Sequence, residues 1–171
     1  ETSIQGVLLK QVEYGYDSLG RLTSVSTDLT PADSSDSRVY VTSYTYDDSN
    51  RITSVSQSDG SHASFRYDDQ DRVIEVNDAS GRQTFSYADA GMTHVTDAQG
   101  RVWTYVYDAA QQLIEVRAPA SAEGGVGAKT QFHYDAQGNL ARVTDARGHA
   151  LVYGYDANGN RTLERDALGN T

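Results

Sequence analysis

The chain has 171 residues and no cysteine, and its 24 Asp and Glu against 14 Lys and Arg give a net charge of −10. This length fits one domain, the lack of cysteine excludes a disulfide framework or a thiolate zinc site, and singly scattered cations argue against nucleic-acid binding. No apolar run reaches the roughly 18 residues of a membrane span, and the first residues lack the basic and apolar segments of a signal peptide.

An internal repeat is visible in the tyrosines. Leu, Ile, Val and Phe total only 32 residues, which with this net charge is typical of disorder. The twelve tyrosines indicate the opposite, because alignment on Tyr-Asp gives a repeat of 20 or 21 residues wherever no insertion intervenes. We therefore expect residues 1–171 to form a single segment of seven repeats, anchored at Tyr16, Tyr46, Tyr67, Tyr87, Tyr107, Tyr134 and Tyr155.

Each anchor is predicted to end a β-strand. The residue two positions before every anchor is also aromatic, so 14 of the 15 Tyr and Phe residues occupy two positions of the repeat and only Tyr40 stands outside. A separation of two places both rings on one face of a strand, whereas on a helix the rings would diverge. Two longer spacings contain insertions at 27–37 and 119–128, which we predict to be surface loops that tolerate substitution.

Tight turns are predicted after the anchors and again about ten residues later, where the pattern D-x-x-G recurs. Asp at the start of a turn accepts backbone hydrogen bonds, and Gly at its fourth position tolerates a left-handed conformation. Asn50 is a reasonable substitute for this glycine, Asp71 a weaker one and Gln111 a poor one. The residues assigned a structural role in the repeat are Tyr16, Asp17, Gly20, Tyr134, Asp135, Gly138, Asp145, Gly148, Tyr155, Asp156 and Gly159.

A second strand is predicted between the two turns of each repeat, at 21–26, 51–56, 72–77, 112–117 and 139–144. Its apolar residues are three apart, as in Leu22 and Val25, so in a regular strand they would face opposite sides of the sheet. Either both faces are partly covered or a β-bulge intervenes. The repeat of Tyr87 is one residue short, and the last repeat has Arg161 and Glu164 at the apolar positions, which leaves room for irregularity there.

The predicted fold class is therefore all-β. Two strands in each of seven repeats give about fourteen antiparallel strands in a meander, and a sheet of that size has to coil, close or fold over. We expect its Tyr and Phe residues to form one continuous layer interleaved with Val and Leu, stabilised by contacts between neighbouring repeats.

The unit Y-D-x-x-G-R-L, with a second D-x-x-G behind it, resembles the YD repeat of RHS proteins. The best copies are YDSLGRL at 16–22, YDAQGNL at 134–140 and YDANGNR at 155–161, and the resemblance covers the chain from about Val12 to Asn170. It implies a sheet that coils as part of a hollow RHS-type β-shell, and a chain that is a fragment of a larger protein. The DPxGL-like motif of the family is absent from this sequence, so self-cleavage is assigned to no aspartate.

The resemblance also implies a function. In RHS polymorphic toxins and in the C component of insecticidal toxin complexes, the shell encloses a toxic C-terminal effector domain until delivery. The implied partners are the rest of the shell, the enclosed toxin domain and delivery proteins of type VI secretion or a toxin complex, and the implied location is secreted or delivered to a target cell. Teneurins use a similar shell for adhesion, so the alternative is a cell-surface adhesion or carbohydrate-binding module with a sugar ligand.

Catalytic, cofactor and metal sites are not expected. His62, His94, His133 and His149 are dispersed, without zinc-site spacing. The acidic groups Asp47–Asp48 and Asp68, Asp69 and Asp71 lack the alternating order of a calcium loop. Phosphate-loop and nucleophile-elbow motifs are also absent, and the aspartates before glycine already have a role in turns. The sequence therefore predicts a non-enzymatic structural segment.

Overall fold

The computed structural model describes residues 2–4, 7–33, 38–87, 89–120 and 127–171. These residues form 15 strands and no helix, so they contain no helix suited to spanning a membrane. The strands are β1 Thr2–Ile4, β2 Val7–Tyr16, β3 Leu22–Asp28, β4 Val39–Tyr46, β5 Ile52–Gln57, β6 His62–Tyr67, β7 Val73–Asp78, β8 Gly81–Ser86, β9 Met92–Thr96, β10 Val102–Tyr107, β11 Leu113–Arg117, β12 Lys129–Tyr134, β13 Leu140–Thr144, β14 Ala150–Tyr155 and β15 Arg161–Arg165.

The strands follow one another in the sheet in chain order, and every pairing described is antiparallel. The predicted all-β meander is thus confirmed, with β2 to β15 as the fourteen expected strands and β1 as an additional short one. The chain divides into two compact units, Glu1–Gln83 and Thr84–Thr171, with the division inside β8. Each repeat has an aromatic strand (even-numbered, β2 to β14) and a return strand (odd-numbered, β3 to β15).

The turn between the two strands of a repeat has one recurring geometry. In the first repeat the N–H of Gly20 donates to the carbonyl of Asp17, and the N–H of Asp17 donates to the carbonyl of Arg21, both at 3.0 Å. Gly20 has φ of 77°, which makes this a type I turn closed by a left-handed residue. Asn50, Asp71 and Gln111 adopt φ of 68°, 62° and 62° at the equivalent position, so this backbone forms even without glycine.

A β-bulge settles the question of the apolar pair three residues apart. Tyr14 lies opposite Val25 and Tyr16 opposite Leu22, because the register shifts between Gly15 and Tyr16 and leaves an extra residue in β3. Directly opposed residues project from the same face, so the bulge brings both apolar residues to the face of the two tyrosines. The same shift occurs just before Tyr46, Tyr67, Tyr107, Tyr134 and Tyr155.

The expected aromatic layer does not become a buried core. None of the described residues is buried, and most side chains of the strands are half-buried. A sheet whose strands pair only with their chain neighbours, without a second layer in either unit, leaves both faces accessible to water. The stability of each unit must therefore come from contacts along the sheet.

Two local expectations are corrected or completed by the strands. Thr27 and Asp28 were predicted to begin a surface loop but continue β3, opposite Tyr40 and Val39 of β4. The rest of that insertion is described only at 29–33, and the second insertion only at 119–120 and 127–128, so their other residues lie outside the described part of the chain. The last repeat has a regular backbone, with the same turn and bulge as the others, although its return strand is exposed throughout.

Candidate functional site: the junctions between repeats

The recurring site of this chain is the junction between the return strand of one repeat and the aromatic strand of the next. The ladder between β3 and β4 ends at the pair Ser24 and Ser43, so the carbonyl of Leu22 lies beyond it. The hydroxyl of Tyr46 donates to this carbonyl at 2.7 Å. The anchor tyrosine therefore satisfies a backbone group that the bulged ladder leaves without a strand partner.

Three further junctions repeat this link with the same spacing. In each, the hydroxyl of the anchor tyrosine donates to the carbonyl of the residue six positions after the preceding anchor. The pairs are Tyr67 with Ile52 at 2.7 Å, and Tyr134 with Leu113 and Tyr155 with Leu140 at 2.9 Å. The same hydrogen bond therefore connects repeats at two junctions in each unit.

Beside six of the seven anchors, an aspartate holds the turn together. One carboxylate oxygen of Asp17 accepts the N–H groups of Leu19 and Arg21, both at 2.9 Å, while the other accepts the Arg21 guanidinium at 2.6 Å. The backbone hydrogen bond from Arg21, followed by its side chain, holds the pKa of Asp17 below its ordinary value. The pattern of two backbone donors recurs at Asp47, Asp68, Asp97, Asp108, Asp135, Asp145, Asp156 and Asp166.

An arginine strengthens two junctions of the first unit. Besides its bond to Asp17, the guanidinium of Arg21 donates to the carbonyl of Asp47 in the next repeat at 3.1 Å and lies 4.9 Å above the ring of Tyr46. Arg51 makes the same contacts one repeat further on, with the carbonyl of Asp68 at 3.0 Å and the ring of Tyr67 at 4.7 Å. One arginine side chain thus binds its own turn and also contacts a carbonyl and a tyrosine ring of the following repeat.

The second unit has amides at this position. Asn139 donates to the carboxylate of Asp135, and Asn160 to that of Asp156, both at 3.0 Å. These side-chain hydrogen bonds are the main reason that the pKa values of Asp135 and Asp156 lie below the ordinary value, and the backbone hydrogen bond from the same residue adds to the effect. Each amide closes its own turn, and the side chain of Asn139 is too short to stack on Tyr155 in the next repeat.

The short fourth repeat uses a different junction. The ladder between β9 and β10 runs two pairs further, to Met92 opposite Val106, and the N–H of Tyr107 then donates to the carbonyl of Gly91 at 2.8 Å. Because the backbone itself continues the pairing, no hydroxyl link is needed there. Gly91 has φ of 69°, and a Cβ atom at that position would lie 3.0 Å from the Tyr107 carbonyl oxygen.

Several of the residues weighed as metal ligands have other contacts. His94 bonds to Asp89 and Thr104, His149 bonds to Asp145, and neither forms part of a larger cluster. Asp47 and Asp68 are the turn aspartates described above, paired with Arg51 and Arg72. Within the described part of the chain, no group of three or more His, Cys, Asp or Glu side chains is arranged to hold a metal ion.

Tyr40, the one tyrosine outside the repeat pattern, links β4 to the turn after β5. Its hydroxyl bonds to Gln57, and to Asp59 at 3.0 Å. Partial burial, followed by the hydrogen bond and the charge of Asp59, raises the pKa of Tyr40 above its ordinary value. The ring thus supplies a side-chain link at the outer end of the long hairpin.

Two shallow grooves lie at equivalent places in the two units, each between consecutive second turns. One has a volume of about 480 Å³ and is lined by Val143, His149, Leu151 and Leu168, and the other, of about 270 Å³, by Val55, Ser61, Ala63 and Ser80. The paired lining positions are all 88 residues apart. The grooves are a geometric consequence of the repeat, and only the first has a mainly aliphatic lining.

Sequence reasoning found the tyrosines, aspartates and turns of this site but assigned no role to the arginines. The signal was present, because Arg21, Arg51 and Arg72 all stand five residues after an anchor. The tyrosine hydroxyl link could not be predicted, because it depends on the β-bulge and on where the ladder ends. The sequence did not decide whether a bulge was present. The predicted structural residues Tyr134 and Tyr155 lie at junctions, whereas Tyr16 ends β2, beyond the residues that pair with β1, and is 61% exposed.

Strand pairing, a bulge and a tyrosine hydroxyl link that recur from repeat to repeat define a β-repeat protein whose units are held together by their immediate neighbours. The chain belongs to the teneurin YD-shell family, whose sequence model matches residues 1–171. The repeat predicted from Tyr-Asp is thus confirmed as the YD repeat of RHS and teneurin shells.

Individual relatives agree with this assignment. The chain is similar to the probable deoxyribonuclease RhsB of Dickeya dadantii (strain 3937), with 43% identity over 74 residues that make up 43% of this chain and 5% of that protein. It resembles the crystal structures of TcdB2-TccC3-TEV and TcdB2-TccC3-Cdc42, with TM-scores of 0.69 and 0.67, 15% identity, 89% of this chain covered and 9% of those chains. The chain therefore spans a small part of the length of these proteins, and the structural likeness shows the shared fold.

Proposed function

We propose that this chain is a structural segment of an RHS-type β-shell that encloses a toxic effector domain for delivery to target cells. The observation that carries the proposal is that, among the described residues, each strand contacts only its neighbours in chain order and no side chain is buried. A globular enzyme or binding domain needs a second layer to bury a core. A sheet that gains its stability from neighbour to neighbour is instead suited to forming a wall.

The junction chemistry supports the same role. Each Tyr-Asp turn joins two strands, and at four junctions the tyrosine hydroxyl bonds the repeat to the one before it. More repeats would extend the sheet without changing its construction. In this proposal all seven repeats act as one segment, the chain has no catalytic activity of its own, and the deoxyribonuclease named in the RhsB relative is a separate effector. The partners are the rest of the shell, the enclosed effector and delivery proteins, and the protein is secreted or delivered to a target cell.

Limited proteolysis tests the enclosure. In the full-length protein that contains these repeats, we expect the effector domain to be digested much more slowly than the same domain alone. Combined Tyr67→Phe and Tyr155→Phe substitutions should shorten this protection by weakening one junction in each unit, whereas Tyr14→Phe should leave it unchanged. Digestion of the enclosed and isolated effector at equal rates would overturn the proposal.

Adhesion or carbohydrate binding is the alternative, and one observation favours it. Tyr14 and Tyr16 lie on one face of β2 and are 60% and 61% exposed, so their rings are accessible for stacking on a sugar. If this is their role, the 171-residue chain should bind a glycan saturably and lose binding when both are changed to Ala. Unchanged binding after this double substitution, or none across a broad glycan array, would speak for the shell alone.

A further inference from the structure

The face of the sheet opposite to the tyrosines differs between the two units. In the first unit, much of this face is formed by small hydroxyl residues, as where Ser24 lies opposite Ser43 and Ser54 lies opposite Ser64. In the second unit, strands β11 to β13 present cations on it instead. These cations stand 12 and 13 positions apart in the sequence, and the meander brings them to neighbouring strands.

Arg117, Lys129 and Arg142 form what we call the basic face. Arg117 lies directly opposite Lys129 on β11 and β12, and Arg142 lies opposite His133 on β12 and β13. All four side chains are exposed. Glu115 is the one acidic residue in the strands β9 to β14, so the basic face keeps an excess of positive charge in a chain whose net charge is −10.

This arrangement does not favour the sheet itself. Arg117 and Lys129 repel each other, because like charges directly opposite one another on two strands are destabilising. Glu115 offsets part of the repulsion, since its carboxylate lies 2.5 Å from the Arg117 guanidinium and 3.7 Å from the Lys129 ammonium. Arg142 makes no ion pair with any described residue, and its neighbours across the sheet are His133 and Val152. The cations are therefore better suited to a ligand than to strand pairing.

The basic face also has a shape that suits an extended chain. A shallow groove of about 360 Å³ lies on it, lined among other residues by Glu115, Arg117 and His133. Lys129 and His133 are four residues apart on β12, so the two basic ends of the face are separated by roughly 13 Å. Carboxylates four residues apart on an extended peptide have the same separation.

We infer that the basic face binds an extended acidic segment of a partner polypeptide. One carboxylate of the segment meets Arg117 and Lys129, and a second, four residues along, meets Arg142. The strongly acidic remainder of the chain repels such a segment, which confines it to this face. This inference does not rest on the shell function, because it uses only the charges and the register of β11 to β13.

Fluorescence anisotropy tests the inference with the 171-residue chain and a labelled peptide of alternating Glu and Ser, about ten residues long. We expect saturable binding that weakens as salt is raised, because exposed charges are screened. A peptide with Lys in place of Glu should not bind. A single-stranded oligonucleotide and a sulfated polysaccharide serve as other polyanions, and tighter binding of either than of the Glu peptide would overturn the choice of a polypeptide.

Arg142→Glu is the informative variant, because it breaks no ion pair with a described residue. It should weaken binding of the Glu peptide about five-fold, while the midpoint of denaturant unfolding stays the same or rises. The matched control is Arg66→Glu, which changes the net charge equally in the first unit, at a side chain that is 70% exposed and opposite Glu75. This control should leave the affinity nearly unchanged.

The inference is overturned if the Glu peptide does not bind, or if Arg142→Glu and Arg66→Glu weaken binding equally. A lower unfolding midpoint in Arg142→Glu would also overturn it, because the arginine would then serve the fold. None of these results bears on whether the effector is protected from protease in the full-length protein, so the proposed shell function stands or falls separately.

Discussion

The two units solve the same problem with different side chains. Junctions of the first unit combine a tyrosine hydroxyl with an arginine that reaches the next repeat, as Arg21 does toward Asp47 and Tyr46. Junctions of the second unit keep the hydroxyl, but Asn139 bonds only within its own turn. The tyrosine and the turn are therefore common to both units, whereas the arginine contact with the next repeat varies between them.

Acid should have the largest effect on both units, because aspartates hold the turns of each. The pKa values of Asp17, Asp47, Asp135 and Asp156 are lowered from an ordinary 3.8, chiefly by hydrogen bonds from the residue four positions on. Groups with a lowered folded pKa stabilise the protein above their unfolded pKa and lose that contribution as the pH falls through the folded value. We expect cooperative loss of strand circular dichroism below pH 3.8.

Unfolding centred near pH 6 would contradict this and point to the histidines instead.

A salt titration would sharpen the comparison of the two units. High salt should lower amide protection more in the first unit, where Asp17 and Asp47 face guanidinium groups, than in the second, where Asp135 and Asp156 face neutral amides.

Changing a turn glycine to valine should have the next largest effect, and it should be equal in the two units. Gly20 and Gly148 have φ of 77° and 86° with open space around them, so the cost is backbone strain alone. We expect Gly20→Val and Gly148→Val each to lower the free energy of unfolding by about 1–2 kcal/mol in denaturant titrations. Gly→Asn at the same sites is the matched control, because Asn50 already adopts this conformation.

A loss of unfolding free energy in the asparagine variants as large as that in the valine variants would contradict the role of the left-handed turn.

The sequence led us to expect that substitution in the insertion at 119–128 would be neutral and could serve as a control. Its one described glycine, Gly127, does not provide such a control. A Cβ atom on Gly127 would lie 1.7 Å from the carbonyl oxygen of Ala118, so substitution there requires the backbone to move.

Removing a junction hydroxyl should have a smaller effect, again of similar size in the two units. Tyr67→Phe and Tyr155→Phe each leave one backbone carbonyl without its donor, at a cost of about 1 kcal/mol in the free energy of unfolding. Tyr14→Phe is the control, because that ring lies on the same sheet but its side chain is 60% exposed. A loss confined to one unit, measured by amide exchange, would show that the hydroxyl link is not the constant of the repeat.

Exchanging the variable residues should give the smallest effects, with opposite signs. Arg21→Asn should destabilise the first unit by about 0.5–1 kcal/mol, since the stacking contact with Tyr46 is lost and the turn bond remains. Asn139→Arg should raise amide protection in β14, because an arginine there can reach Tyr155 as Arg51 reaches Tyr67. If Asn139→Arg leaves amide protection in β14 unchanged or lowers it, an arginine at this position is not sufficient for the contact with the next repeat.

Much of the architecture could be read from the sequence because the repeat averages out local ambiguity. One Tyr-Asp dipeptide has little meaning, but seven tyrosine anchors in register, six of them followed by Asp, indicated the strand period, the turn positions and the family. The less certain expectations concerned single residues. The strand residues Thr27 and Asp28 were assigned to a loop because their polarity outweighed a pairing opportunity with Val39 and Tyr40 that only the neighbouring strand provides.

The sequence by itself determined which residues repeat, since spacing along the chain is enough to identify two-residue alternation and the Asp-to-Gly turns. Only the tertiary structure decided what the repeated residues do. The bulge before Tyr16 brings Leu22 and Val25 to the tyrosine face. The ladder between β3 and β4 ends at Ser24 and Ser43, and the hydroxyl of Tyr46 then donates to the carbonyl of Leu22. The hydrogen bond between Tyr46 and Leu22 joins residues more than 20 positions apart. Its geometry depends on the register of the strands, because a slip of one residue turns every side chain of a strand to the opposite face.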